Sequence, residues 1–376
     1  MTELNYTQTI EAVKSDTLFI VFSAIGTQKN KFSFFKSFSE VLCHKIFVNT
    51  ANNDWYQNGN PDFNSPTKLL RHLKLEIARL KPSRVIAFGT SMGGYGALLY
   101  GSLLKCTEII VFSSETILCL DASRSKKYNV QINHKIPDIK QSIQNAKKTK
   151  IYLIVGESDI VDLYCAAHIK NLSNVKITSL RRIGHETPRY IHDNISFSKY
   201  IELIFNNYQL DFFPNKGSIL NHTNAINALF KASSLGYQGK SNDSYLELLD
   251  SKDILFEHEL YHYYKSIYHK SKNEIELALE AALYSTLLNP DFGPGYQFLG
   301  ILQGINNQYN TAIQSFEKAK KCIAVKPNSQ IDYFIAYNYY KLGVLDTALK
   351  ITELCIQKNI KISDSLKLKE LIVNSN

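Results

Sequence analysis

A chain of 376 residues is too long for one ordinary domain and fits two, each with its own core. At 44% hydrophobic and 20% charged residues its composition is that of a soluble globular protein, and no apolar run reaches the roughly 18 residues a membrane span needs. The net charge of +9 lies wholly in the N-terminal part: residues 1–210 hold 26 Lys/Arg against 17 Asp/Glu, and 211–376 hold 17 of each.

A basic surface of this kind attracts anionic substrates, cofactor phosphates or an acidic glycan, or is simply a solvated face. Without an RNP-type aromatic motif or a helix-turn-helix signature, nucleic acid is not expected as a partner. The start, MTELNYTQTIEAVKSD, lacks the basic and apolar segments of a signal peptide. Six cysteines (Cys43, Cys106, Cys119, Cys165, Cys322, Cys355) form no CxxC pair and have no His at ligand spacing, so neither zinc nor a disulfide framework is expected. A cytoplasmic setting follows as the expectation.

From residue 17 to about 205, short apolar runs alternate with amphipathic ones. TLFIVFSA (17–24), KIFVNT (45–50), RVIAFG (84–89), EIIVFSS (108–114), KIYLIVG (150–156) and NVKITSL (174–180) are predicted strands. They are apolar on both faces, as when helices cover both sides of a sheet, and PTKLLRHLKLEIARLK (66–81) is one such helix. The expected fold is α/β, with a doubly wound, mostly parallel sheet over residues 1–210.

The loop after the second of these strands, ANNDWYQNGNPDF (51–63), carries the only Trp of the chain. Asp54, Trp55 and Tyr56 there suit stacking on a sugar and hydrogen bonds to its hydroxyls. Their alternative role is to anchor the loop.

After the third strand comes FGTSMGGYGALLYG, in which Gly89-Thr90-Ser91-Met92-Gly93 fits G-x-S-x-G between a strand and a helix. A nucleophile on a tight, strained turn has its side chain pushed clear of the sheet, and flanking residues without Cβ avoid the clashes. Serine needs a base, itself oriented by a carboxylate, and in this fold they follow in the order Ser, acid, His.

Glu157-Ser158-Asp159 ends the fifth predicted strand, and Gly184-His185 lies in the loop beyond the sixth. Asp159 is therefore the preferred acid and His185 the base, with Asp162 and then Glu157 as alternatives. The glycine before His185 suits a turn that presents it, whereas His168 and His192 fall in predicted helices. The oxyanion formed on attack needs two backbone N–H donors, each worth roughly 2.7–4 kcal/mol of barrier by analogy with a side-chain donor. Met92 is the first, and the second is expected from Ser23, Ala24 or Ile25, with Ala24 taken as the candidate.

FFPNKGSILN (212–221) is a predicted linker, with residues 211–254 joining or capping an all-α repeat domain over 255–376. Ala278, Ala312 and Ala348 recur at spacings of 34 and 36. Tyr296, Leu299, Gly300, Tyr309, Ala312, Phe316 and Ala319 occupy tetratricopeptide-repeat positions, supported by Pro290, Tyr339 and Gly343. Pro327 arrives late, which predicts one longer helix. HELYHYYKSIYHK (257–269) looks metal-like but falls among these helices, where His and Tyr make packing and surface contacts, and no metal is expected.

Residues 15–205 resemble the α/β-hydrolase superfamily and 255–358 resemble tetratricopeptide repeats. More narrowly, VFSA, GTSMGGYGALLYG, GESD and GHE are similar to the O-acetyltransferases and esterases of bacterial surface polysaccharides. That resemblance implies Ser91 as acyl acceptor, His185 as base, Asp159 as its orienter, acetyl-CoA as donor in a transferase, and a carbohydrate acceptor. The repeats have no counterpart in that group and suggest a protein partner. A non-catalytic interaction module with a degenerate hydrolase domain is the alternative from another class.

Overall fold

The structure is a computed structural model that describes residues 5–128, 130, 137–207, 213–240, 243–322 and 330–375. It divides into two compact units, Met1–Ser234 and Leu235–Asn376, and the division falls within the segment 211–254 expected to join or cap the two domains. Pro327 lies outside the described residues.

The first unit is built on seven strands: β1 (Thr7–Ile10), β2 (Thr17–Phe22), β3 (His44–Val48), β4 (Arg84–Thr90), β5 (Glu108–Phe112), β6 (Lys150–Gly156) and β7 (Val175–Leu180). Their order is β1-β3-β2-β4-β5-β6-β7, all parallel except β1, which runs antiparallel to β3 with Thr7 opposite Val48. The helices are α1 (Pro66–Leu80), α2 (Met92–Leu104), α3 (Arg124–Lys127), α4 (Lys140–Asn145), α5 (Ile160–Ile169), α6 (Thr187–Asn194), α7 (Phe197–Phe205) and α8 (Thr223–Tyr237). This is a doubly wound α/β arrangement with a mostly parallel sheet.

Side chains alternate across the sheet. Phe19, Val21, Ile86, Phe88, Ile110 and Phe112 form one buried layer with Ile191 of α6 and Phe197, Tyr200, Ile201 and Ile204 of α7. The opposite face receives α2, which approaches so closely that a Cβ on Gly101 would stand 2.8 Å from the Ala87 side chain. Helices on both faces explain why the central strands are apolar throughout. β1 escapes the same logic: TQTI is short and polar, and it is fixed at the sheet edge by β3 and by the Asp62 carboxylate, which accepts from the N–H groups of Asn5 and Tyr6.

The predicted linker is largely part of this unit. The Arg181 N–H donates to Asn215 O, the Gly217 N–H donates to Ser179 O, and Glu157 Oε1 accepts from the Ser179 hydroxyl and from the Ile219 N–H. Downstream, Phe230 of α8 stacks on Tyr164 of α5 with ring centroids 4.0 Å apart. Apolar and hydrogen-bonding contacts thus carry the unit on to Ser234.

The second unit contains α9 (Lys252–Leu255), α10 (Glu259–Ser271), α11 (Ile275–Leu288), α12 (Gly293–Ile305), α13 (Tyr309–Cys322), α14 (Ile331–Lys341), α15 (Leu345–Gln357) and α16 (Ile362–Val373). α10/α11, α12/α13 and α14/α15 are the three repeats, each a helical hairpin, and α16 follows them. Ala278, Ala312 and Ala348 are each fully buried on the second helix of a hairpin. A Cβ on Gly300 would meet the Phe316 ring at 2.9 Å, and that ring stacks on Phe334 of the next hairpin. Small residues therefore close each hairpin and large ones join it to its neighbour. No helix among the described residues is long and apolar enough to cross a membrane.

Candidate active site

Ser91 lies between the end of β4 and the start of α2, with φ 54° and ψ −123°, a backbone region that residues with a Cβ avoid. It is held there by its own N–H, which donates to Phe112 O at 3.0 Å, and by its carbonyl, which accepts from the Tyr95 N–H at 3.1 Å. The neighbouring glycines leave room for the turn. A Cβ on Gly89 would stand 2.2 Å from Gly93 O, and one on Gly93 would stand 2.2 Å from Phe22 O. Gly93→Ala is accordingly expected to cost roughly 1–3 kcal/mol of stability. A thermal melt checks this, and an unchanged midpoint would contradict the close approach.

His185 sits in the loop after β7. Its Nε2 lies 2.9 Å from Ser91 Oγ and its Nδ1 lies 2.6 Å from Asp162 Oδ2. With Nδ1–H donating to the carboxylate, Nε2 accepts the serine proton. The loop is fixed from beneath by Thr187, whose N–H donates to His185 O and whose buried hydroxyl bonds to that of Ser113. Gly156 rather than Gly184 is the glycine this placement requires: a Cβ on Gly156 would meet Ile183 O at 2.1 Å, and one on Gly184 would meet nothing within 4 Å.

The carboxylate on His185 is that of Asp162, not Asp159. Asp159 is the N-cap of α5, its Oδ1 accepting from the Asp162 N–H, and its Oδ2 is bound by Arg124 at 2.8 Å. Asp162, in the first turn of the same helix and fully buried, is the residue aimed at the imidazole. Glu157, the third alternative, is engaged with Ser179 and Ile219.

Burial opposes charging His185, but the charge and hydrogen bond of Asp162 outweigh it and raise the imidazole above its ordinary 6.5. Asp162 is pushed upward by burial and then by the charge of Asp159. Burial pushes Asp159 the same way, yet Arg124 prevails and holds it below 3.8. Because only neutral His185 can take a proton from Ser91, activity should fall as pH drops through the raised value. A kcat/KM profile with an acid limb above pH 6.5 is expected, and a limb below that value would contradict it.

Met92 N–H opens α2 and has no intrahelical acceptor, which leaves it available to an oxyanion. Of the three N–H groups expected to supply the second donor, the candidate Ala24 and its neighbour Ser23 are already engaged. The Ala24 N–H donates to Ser33 Oγ at 3.0 Å and the Ser23 N–H to Val48 O at 2.8 Å, whereas the Ile25 N–H has no acceptor among the described residues.

The 54–57 loop also differs from the expected sugar platform. Tyr56 is fully buried, its hydroxyl donating to Ser23 O and its N–H to Asp54 Oδ1, and Asp54 also accepts from the Thr50 hydroxyl. Trp55 is only 1% exposed, so it offers no open ring face. Asp54 and Tyr56 act as loop anchors, and Trp55 is buried beside them. The histidines of 257–269 are engaged separately: His258 caps α10, His262 bonds to Phe256 O, and His269 to Glu274.

Arg124 and Glu115 lie beside the acid and carry no motif. Glu115 Oε1 accepts from the N–H groups of Arg124 and Ser125, its Oε2 is buried without a partner among the described residues, and burial raises its pKa to about 7.

No family model matches the chain, and no curated protein does. Among solved structures it is similar to the capsule O-acetyltransferase of Neisseria meningitidis serogroup A, with 18% identity, 55% of this chain and 93% of that one covered, and a TM-score of 0.39. MenH from S. aureus is 14% identical, with 54% and 98% covered and a TM-score of 0.38. MamA is 18% identical, with 46% and 86% covered and a TM-score of 0.32.

Proposed function

We propose that the first unit is an acyl-transfer enzyme working through an acyl ester on Ser91. The observation that carries this is the single imidazole bonded on one side to Ser91 Oγ and on the other to buried Asp162. Ser91 Oγ attacks the donor carbonyl while His185 Nε2 takes its proton. That attack forms the C–O bond to serine, the Met92 N–H supports the oxyanion, and the imidazolium gives its proton to the leaving group as the tetrahedral intermediate collapses and the bond from the acyl carbon to that group breaks. In the second half, His185 deprotonates an acceptor hydroxyl, which attacks the acyl ester and releases Ser91.

The reaction proposed is O-acetyl transfer from acetyl-CoA to a hydroxyl of a bacterial surface polysaccharide. The similarity of GTSMGGYGALLYG, GESD and GHE to such enzymes supports it, as does the excess of Lys and Arg in the N-terminal part, which suits CoA phosphates or an anionic glycan. Such a donor fits a cytoplasmic enzyme, and the repeats would dock a protein partner. If water resolves the acyl ester instead, the same three residues make a carboxylic-ester hydrolase. Thiol release from acetyl-CoA, with and without an oligosaccharide acceptor, separates the two. Release that depends on the acceptor and leaves acetyl on the sugar is expected, whereas turnover of simple acetyl esters to acetate alone would establish the hydrolase.

A further inference from the structure

We propose that Arg124 and Asp159 form a positioning pair that sets the charge felt by His185, although the described contacts place neither on Ser91. The inference rests on the triad assignment above. Asp159, Asp162 and His185 present polar atoms all within 4.8 Å of one another, which brings a half-buried and a fully buried carboxylate together at one imidazole. Two carboxylates so close repel each other's charge, and a positive charge beside them relieves that repulsion.

Arg124 supplies that charge. Its Nη2 donates to Asp159 Oδ2 at 2.8 Å, and its Nη1 lies 3.8 Å from Asp162 Oδ1, an oxygen with no hydrogen-bond partner among the described residues. Asp159 has a second task, since its other oxygen accepts the Asp162 N–H and fixes the backbone that carries the acid. The carboxylate toward His185 and the carboxylate toward Arg124 are thus held three residues apart on one helical turn. The charged and titratable groups of the cluster are Asp159 and Asp162 from α5, Arg124 from α3, Glu115 from the loop after β5, and His185 itself.

The arrangement has a signature that packing alone would not produce. Arg124 lowers the proton affinity of His185 and Asp159 raises it, so removing one charge should move the acid limb opposite to removing the other. Arg124→Gln is expected to shift the limb up by about one pH unit, and Asp159→Asn to shift it down by a similar amount. Asn still caps a helix, so Asp159→Asn keeps the turn. Arg124→Lys retains the charge and should keep the limb near its original position.

The experiment is the pH dependence of p-nitrophenyl acetate turnover by the full chain and these variants, with Ser91→Ala alongside. Opposite shifts support the pair, and if Arg124→Gln fails to fold, the downward shift of Asp159→Asn decides the matter. Shifts in one direction, or an unmoved limb with only a lowered plateau, would overturn it. Turnover undiminished in Ser91→Ala would instead overturn the triad assignment itself, a distinct outcome.

Discussion

Ser91→Ala is expected to lower turnover by about a million-fold, because nucleophile and base act as a unit and the loss of either forfeits most of what the whole arrangement contributes. The change removes a single oxygen from a side chain whose backbone is already fixed by Phe112 O and the Tyr95 N–H. The fold should survive, and relaxation of the strained φ of 54° is the only structural consequence expected. Steady-state turnover together with a thermal melt checks this. A drop of only a few-fold in a folded variant would remove Ser91 from the chemistry.

The second large effect separates two aspartates three residues apart. Asp162→Asn should cost about ten-thousand-fold in kcat, since an amide can no longer accept from His185 Nδ1 as a carboxylate does and the imidazole is left in the wrong tautomer. Asp159→Asn should keep its plateau activity to within about tenfold, because it changes a cap and a partner of Arg124 rather than the group on the imidazole. Paired kinetics on the two variants test the assignment. The reverse ranking would restore Asp159 as the orienting acid.

That pair also shows where sequence stops short. Position at a strand's C-terminal end favours Asp159, and the chain does place both aspartates there. An Asp directly before a helical stretch is, however, an N-cap, with one oxygen committed to the backbone of the first turn. In Glu157-Ser158-Asp159-Ile160-Val161-Asp162 the capping position is Asp159, which leaves the buried Asp162 carboxylate for the imidazole. The signal was present, and it lay in helix-end chemistry rather than in strand order.

Elsewhere the same contrast holds. Six strands were legible because helices on both faces demand continuous apolar runs, and the elbow was legible because its glycines answer to steric contacts as short as 2.2 Å. β1 carries no such demand, since an edge strand of four residues held by β3 and Asp62 can be polar. Trp55 in a loop of Asn, Asp and Gln resembles a sugar platform until its burial is known. Arg124 has no motif at all: thirty-five residues separate it from Asp159, and only the fold brings them together.

The most direct test of the acyl-serine account is intact-protein mass after brief exposure to acetyl-CoA, beside a reactive acetyl ester, for wild type and Ser91→Ala. The account predicts one acetyl group on the wild-type chain, located on the peptide that contains Ser91 and absent from the variant. Equal labelling of both proteins, or no labelling of the wild type by either donor, would contradict it.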